Sequence, residues 1–390
     1  MFSLLRLLVS WFFCLRFRYK YEKVRPGKTP AIVLMNHNSD YDPIFAGIAV
    51  RGHMYFVASE HAMRMGFFSK LIKFVFDPII RQKGTMEARA AMEIIRVVRK
   101  GHSVCLFAEG NRSFSGETGF ILPSTGKLVK RSGAAMITYV LRGGYFSTPR
   151  WAFGIRRGLI KGELVNVYSP EQLAQMDDRE VYDAIKRDIY VDAYADQRRF
   201  NIPYKGKKKT RAKGIEAALY ICAKCERIGT IKSSGDRFFC NCGLDMRLDE
   251  YGKLAAAGQS PAPFDSILEW DAWQRRRLDE KLKETDDLSK AVFSDNDQTL
   301  LEISEAGKET AELLNGKLSF YRDRIEIADG EEKIIFWFRE IHDIEVTGRM
   351  NITFSTLGGR NLEIRSPFIR SANKYREAFR FIAASVMPRQ

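Results

Sequence analysis

This chain predicts an α/β domain, with a mixed sheet flanked by helices, then a small ribbon and a C-terminal β-barrel closed by a helix. Three observations predict it. Up to about residue 200, short apolar runs alternate with helix-like stretches, as strands and their covering helices do. Four of the six cysteines then fall at 222, 225, 240 and 242. From about Ala291 the texture changes to repeated strand-like runs separated by turn residues, with one amphipathic stretch at the end.

A chain of 390 residues is too long for one ordinary domain, so two or three are expected. A hydrophobic fraction of 45% permits packed cores and excludes a disordered protein. The formal net charge of +15 suits anionic partners: nucleic acid, acidic lipid or phosphorylated metabolites. Cys14 and Cys105 stand alone in apolar runs and read as small buried hydrophobes. The other four look like a metal site, not a secreted disulfide framework, which favours a reducing compartment.

Residues 1–25 begin with an apolar stretch interrupted by Arg6. Its uncharged run, Leu7 to Leu15, is far short of the ~20 residues that span a bilayer. Arg16, Arg18, Lys20, Lys23 and Arg25 follow where a small-residue cleavage site would be needed for a signal peptide. Apolar bulk followed by cations predicts a helix lying in a membrane interface. The plainer reading is a helix packed on its own domain. The first reading implies a peripheral or monotopic protein on the cytoplasmic face of a membrane, with an anionic surface as partner.

The apolar run Ala31–Met35 predicts a buried strand, and Pro43 predicts the start of a helix. Between them lies Asn36-His37-Asn38-Ser39-Asp40-Tyr41-Asp42. On a strand-to-helix turn His37 and Asp42 can meet. The carboxylate then holds the ring tautomer while the other ring nitrogen takes a proton. Equally, Asp42 before Pro43 is a good helix N-cap.

Further along, Met54–Ala58 predicts a strand, and 63–76 a helix of the core or of a lipid-facing surface. Arg81 follows an apolar strand. Thr85–Lys100 is an amphipathic helix, and Ser103–Phe107 a buried strand. That strand runs into Glu109-Gly110-Asn111-Arg112-Ser113. Turn N–H groups and the Arg112 guanidinium there can reach anionic oxygens. Glu109 is expected to orient that arginine or a substrate hydroxyl, or merely to form a loop ion pair with Arg112. Tyr145–Ile155 and Leu164–Tyr168 read as further strands, and Ser169–Asp192 as mostly helix.

Three of these segments together resemble the motifs of the glycerolipid acyltransferases, of the lysophosphatidate (1-acyl-sn-glycerol-3-phosphate) type. Asn36-His37…Asp42 is similar to their H-x4-D motif, and Phe76…Ile80-Arg81 to their arginine-bearing second motif. Phe107-Ala108-Glu109-Gly110-Asn111-Arg112-Ser113 is similar to F-P-E-G-T-R-S, with Ala108 for proline and Asn111 for threonine. The resemblance covers roughly residues 1–200. It implies an α/β acyltransferase domain that moves a fatty-acyl group from acyl-CoA or acyl carrier protein (acyl-ACP) to the sn-2 hydroxyl of lysophosphatidic acid, the lysophospholipid acceptor, to give phosphatidic acid. It further implies His37 as general base, Asp42 holding it, and Arg81, Glu109, Gly110 and Arg112 binding the acceptor. No catalytic cofactor is implied. Another lysolipid or a glycolipid as acceptor, or a non-catalytic lipid- or nucleic-acid-binding protein on the same fold, are the alternatives. The intact His37, Asp42, Glu109 and Arg112 set argues against a dead acyltransferase fold, and nucleic acid is the less favoured partner. No G-x-S-x-G elbow is present, which argues against a serine hydrolase.

Behind this domain, Lys205–Lys213 carries six cations in nine residues and reads as a linker. Cys222-Ala-Lys-Cys225, fourteen residues, then Cys240-Asn-Cys242 predicts a zinc ribbon with a closed, structural Zn²⁺. Phe238 and Phe239 are expected to form its core. Residues 265–283 read as a helix. Seven strand-like runs from Leu300 to Arg365, capped by a helix over Ser371–Val386, resemble a pleckstrin-homology-like (PH-like) barrel with a protein or lipid ligand. The expected division is thus 1–25, 26–213, 214–255, 256–290 and 291–390.

Overall fold

Five consecutive apolar residues need cover on both faces. In the computed structural model Ala31–Met35 (β2) is buried at every position. The structure describes residues 2–59, 78–81, 87–258, 261–304 and 310–386. The chain divides into two units. The first is residues 1–82 and 86–207 with 250–252; the second is 83–85, 208–249 and 253–390.

In the first unit, β2 lies within a seven-stranded sheet. The other strands are Lys20–Tyr21 (β1), Met54–Ser59 (β3), Ile79–Arg81 (β4), Ser103–Phe107 (β5), Ala135–Arg142 (β6) and Lys161–Tyr168 (β7). Their order is β1-β7-β6-β2-β5-β3-β4. Neighbours run parallel except β6 and β7, so the sheet is mixed, as expected.

Period-two alternation divides β2 between two cores. Ala31, Val33 and Met35 pack with Phe17, Phe45 and Phe107 on one face. Ile32 and Leu34 pack with Val98, Val129 and Ile185 on the other. The first face is covered by Phe2–Phe17 (α1) and Asp42–Ala49 (α2), the second by Glu87–Arg99 (α3), Ser124–Ser132 (α4) and Asp178–Asp188. No described helix is long and apolar enough to cross a membrane. The expected helix over 63–76 lies outside the described residues.

One expected strand is absent from its place. Gly144–Ser147 (α5) is a single helical turn, and the strand is Ala135–Arg142 instead. Gly143 ends it, with φ +80°, and a Cβ there would collide with the Leu159 carbonyl. The aromatics after it suggested a strand, but Tyr145, Phe146 and Trp151 are buried as packing groups of a turn-rich segment.

The second unit contains a four-stranded antiparallel sheet: Lys232–Ser234 (β8), Arg237–Cys240 (β9), Leu244–Leu248 (β10) and Leu254–Ala256 (β11). Ile267–Glu284 follows as a helix whose cap, Ser266, accepts from the Glu269 N–H at 3.1 Å. Its Trp270 donates Nε1–H to the Ile221 carbonyl at 2.9 Å. Seven further strands, β12 (Phe293–Ile303) to β18 (Asn361–Arg365), form one antiparallel order, β15-β14-β13-β12-β18-β17-β16. The seven runs read from the sequence correspond to them. β12 and β13 (Thr310–Phe320) extend further through polar residues that the apolar pattern left out. The last helix, Asn373–Val386, packs Tyr375 on Phe293 and Phe320, and Phe379 on Phe338.

Candidate active site and cysteine cluster

The parallel strands β2, β3, β4, β5 and β6 all end at one edge of the sheet. Met35 is in register with Phe107 on one side and Tyr139 on the other. Ligands bind open α/β sheets at this edge. The first turn leaves β2 and enters α2; the second leaves β5.

In the first turn, His37 Nδ1 lies 2.9 Å from Asp42 Oδ2. That same oxygen accepts the Asn38 N–H at 2.7 Å and the Ser39 N–H at 2.8 Å. An oxygen taking two backbone donors is the acceptor for the ring as well. Nδ1 therefore carries the proton, and Nε2 keeps its lone pair. Asp42 is fully buried, whereas 21% of the His37 side chain is exposed. The imidazole stacks on Phe107, centroids 4.6 Å apart, which fixes its plane. The capping reading of Asp42 is not what the structure holds. Asp42 is the first helical residue, Tyr41 occupies the cap position without a side-chain bond, and the carboxylate reaches back to the turn.

The second turn docks on the first. Glu109 Oε1 accepts the His37 N–H and Oε2 the Gly119 N–H, both at 2.6 Å. Ser113 N–H donates to the His37 carbonyl at 3.2 Å. Gly110 holds φ +67° and closes the turn by donating to the Phe107 carbonyl at 3.0 Å. The expected Glu109–Arg112 pairing is replaced by two others. Glu109 holds the backbone beside the histidine, and Arg112 Nη2 meets Asp40 Oδ1 at 3.0 Å. Burial pushes the Glu109 carboxyl up to about 8, against the pull of the Gly119 and His37 N–H groups.

Arg81 ends β4 on the same edge, in register with Ser59 of β3; its side chain lies outside the described residues.

Several contributors carried no sequence signal. Asn36 clips to Leu141 through both amide atoms. Thr148 donates to Ser39 Oγ at 2.8 Å. Arg150, buried, donates Nη1–H to the Arg112 carbonyl at 2.9 Å and lies over Phe114 at 4.4 Å. Tyr145 donates to the Phe114 carbonyl at 3.1 Å. Residues 143–151 thus brace both turns, which pattern alone does not reveal in a segment without periodicity.

In the second unit the four expected cysteines converge, with all four Sγ atoms within 4.8 Å of one another. Cys222 and Cys242 are 3.6 Å apart, and Cys225 and Cys240 3.8 Å. A tetrahedral Zn²⁺ with Zn–S bonds of about 2.3 Å needs sulfurs about 3.8 Å apart, so the donor set fits the ion. Phe238 is fully buried and packs at 5.8 Å from Trp270. Phe239, by strand alternation, points outward and is 38% exposed, so the ribbon core is built on Phe238 without it.

Comparison with known proteins places the two turns in one family segment. Residues 16–142 match the family model named Acyltransferase. A 1-acyl-sn-glycerol-3-phosphate acyltransferase of Borreliella burgdorferi is 25% identical over 118 residues, 30% of this chain and 47% of that protein. This chain therefore matches about half of that relative's length. A solved 1-acyl-sn-glycerophosphate (LPA) acyltransferase of Thermotoga maritima aligns at 17% identity with a TM-score of 0.38, covering 48% of this chain and 78% of that one. The matched segment holds both the His37–Asp42 turn and the Glu109–Arg112 turn, and residues 16–142 form an acyltransferase-family domain similar to that of the 1-acyl-sn-glycerol-3-phosphate acyltransferases.

Proposed function

We propose that this protein transfers a fatty-acyl group from acyl-CoA or acyl-ACP to the sn-2 hydroxyl of lysophosphatidic acid, giving phosphatidic acid. The observation that carries the reading is the His37–Asp42 pair, 2.9 Å apart on the strand edge and docked to the turn that presents Arg112.

His37 Nε2 takes the proton of the acceptor hydroxyl as its oxygen attacks the thioester carbonyl. The C–S bond then breaks as the tetrahedral centre collapses, and the thiolate takes the proton back from the imidazolium. Asp42 holds Nδ1–H throughout and stabilises the transient positive charge. Arg112 and Arg81 bind the acceptor phosphate, with Gly110 and Glu109 shaping the turn.

Cys222, Cys225, Cys240 and Cys242 would hold a structural Zn²⁺. With four thiolates and no open position, that ion would supply cross-linking of the ribbon and no chemistry. The order and capping helix of β12–β18 support a PH-like domain with a lipid or protein ligand. The exposed aromatic side of α1 supports attachment to an anionic membrane surface.

The test is product formation from lysophosphatidate and an acyl thioester in detergent, beside a His37→Ala control. Phosphatidate from the wild type, with a loss of about 10²–10⁴-fold in the variant, is the expected result. Equal activity of both proteins, or of neither, overturns the mechanism. Parallel assays with other lysolipid and glycolipid acceptors fix the substrate class.

A further inference from the structure

Arg112 is not presented to an empty space. Its Nη2 lies 3.0 Å from Asp40 Oδ1 in the middle of the catalytic turn, between His37 and Asp42. The two partners differ in exposure: 13% for the Arg112 side chain and 59% for that of Asp40. The arginine backbone cannot follow its side chain. The buried Arg150 holds the Arg112 carbonyl at 2.9 Å, and the next residue, Ser113, is tied to the His37 carbonyl at 3.2 Å. The flexible member of the pair is therefore the exposed aspartate.

The geometry points to Asp40 as an affinity-setting residue, an internal carboxylate that occupies the guanidinium nitrogen an acceptor phosphate takes. This rests on the reading that Arg112 holds that phosphate. A phosphate monoester carries more charge than a carboxylate and offers three acceptor oxygens, so it displaces Asp40 from the fork. An acceptor without a phosphate has nothing to exchange for that pair and leaves Arg112 on Asp40. Every ligand that takes Arg112 must displace Asp40 first, so the carboxylate lowers the affinity for a phosphorylated acceptor that Arg112 alone would supply.

The inference is tested on the full-length chain with Asp40→Asn, Asp40→Glu and Arg112→Gln, and with Asp40→Asn combined with Arg112→Gln. The readouts are KM for lysophosphatidate and competitive inhibition by inorganic phosphate. Asp40→Asn is expected to lower both KM and the phosphate inhibition constant by about fivefold, the size of one partly exposed ion pair. Asp40→Glu keeps values near those of the wild type. In the Arg112→Gln background the Asp40 change is expected to be silent. A raised KM in Asp40→Asn overturns the inference, because Asp40 then helps to aim Arg112. A fivefold effect that persists without Arg112 also overturns it, because Asp40 then repels phosphate directly. Absence of any turnover of lysophosphatidate by the wild type defeats the proposed function itself. Turnover that depends on Arg112 but is indifferent to Asp40 defeats this inference alone.

Discussion

Asn36 donates Nδ2–H to the Leu141 carbonyl at 2.9 Å and accepts the Leu141 N–H on Oδ1 at 2.7 Å. The backbone ladder between β2 and β6 ends at Met35 and Tyr139. The Asn36 amide imitates one more rung of it, immediately before His37. The turn that aims the imidazole is thereby pinned at its first residue. Asn36→Ala leaves two buried backbone groups without their partner, at about 1–3 kcal/mol each. We expect a loss of about 2–6 kcal/mol in urea unfolding, with turnover lowered in protein that is still folded. Wild-type stability in this variant would remove the latch from the account.

Glu109 gives a pH signature. Its carboxyl rises from an ordinary 4.5 to about 8, first because it is enclosed. A group whose folded value lies above its unfolded value takes up a proton on folding. Its contribution to stability is complete below about 4.5 and is lost as pH rises through about 8. Glu109→Gln removes the titration but sets one amide NH₂ against a backbone N–H that the acid accepts. The wild type is therefore expected to be the more stable protein near pH 5. The gap should close or reverse by about pH 8.5, as the enclosed carboxyl ionises. Urea midpoints of the two proteins across this range check it; a constant difference would show that Glu109 does not titrate in that window.

How far this could be read from residues alone depends on whether the signal was local. The β2 and β5 strands, the turns after them and the four cysteines are local patterns, and each appears where the sequence put it. His37 and Asp42 meet because a strand-to-helix turn brings positions five apart together. Arg150, Thr148 and Asn36 act through partners between 38 and 109 residues away, and no spacing announces such contacts. The segment after Gly143 is ambiguous in sequence for a related reason. Buried aromatics satisfy strand preference and irregular packing equally well, and only the positive φ of Gly143 separates the two. Phe238 and Phe239 are both apolar neighbours in β9, and alternation sends Phe238 inward and Phe239 outward, which composition alone does not distinguish.

That alternation yields a paired prediction for the ribbon. Phe238→Ala empties a fully buried site against Trp270 and should cost about 3–5 kcal/mol in the second unit. Phe239→Ser, on the exposed face, should stay within about 0.5 kcal/mol of the wild type. Elemental analysis of reduced protein should find about one zinc per chain, falling toward zero in Cys240→Ser. Zinc-free protein that unfolds at the wild-type midpoint would deny the metal any structural role.

The outer side of α1 carries the last prediction. Phe13 and Phe17 turn inward to Phe45, with ring centroids 5.9 and 5.3 Å away. Trp11, Phe12 and Leu15 turn outward, at 66%, 54% and 52% exposure. Positions 11 and 15 are one helical step of four apart and 12 lies beside them, so the three form one patch. The exposed Arg18, Lys20, Lys23 and Arg25 follow it. Such a patch binds through apolar burial plus attraction to anionic head groups, the second part weakening with salt. Changing Trp11, Phe12 and Leu15 together to Ser should reduce binding to vesicles containing phosphatidylglycerol by at least about tenfold at constant fold. Changing Arg18 and Lys20 to Gln should reduce it less and flatten its salt dependence. Phe13→Ser, by contrast, is expected to lower stability, because that half-buried ring packs against the core. Vesicle binding that survives the triple change would assign membrane attachment to another surface and leave α1 as a packing helix.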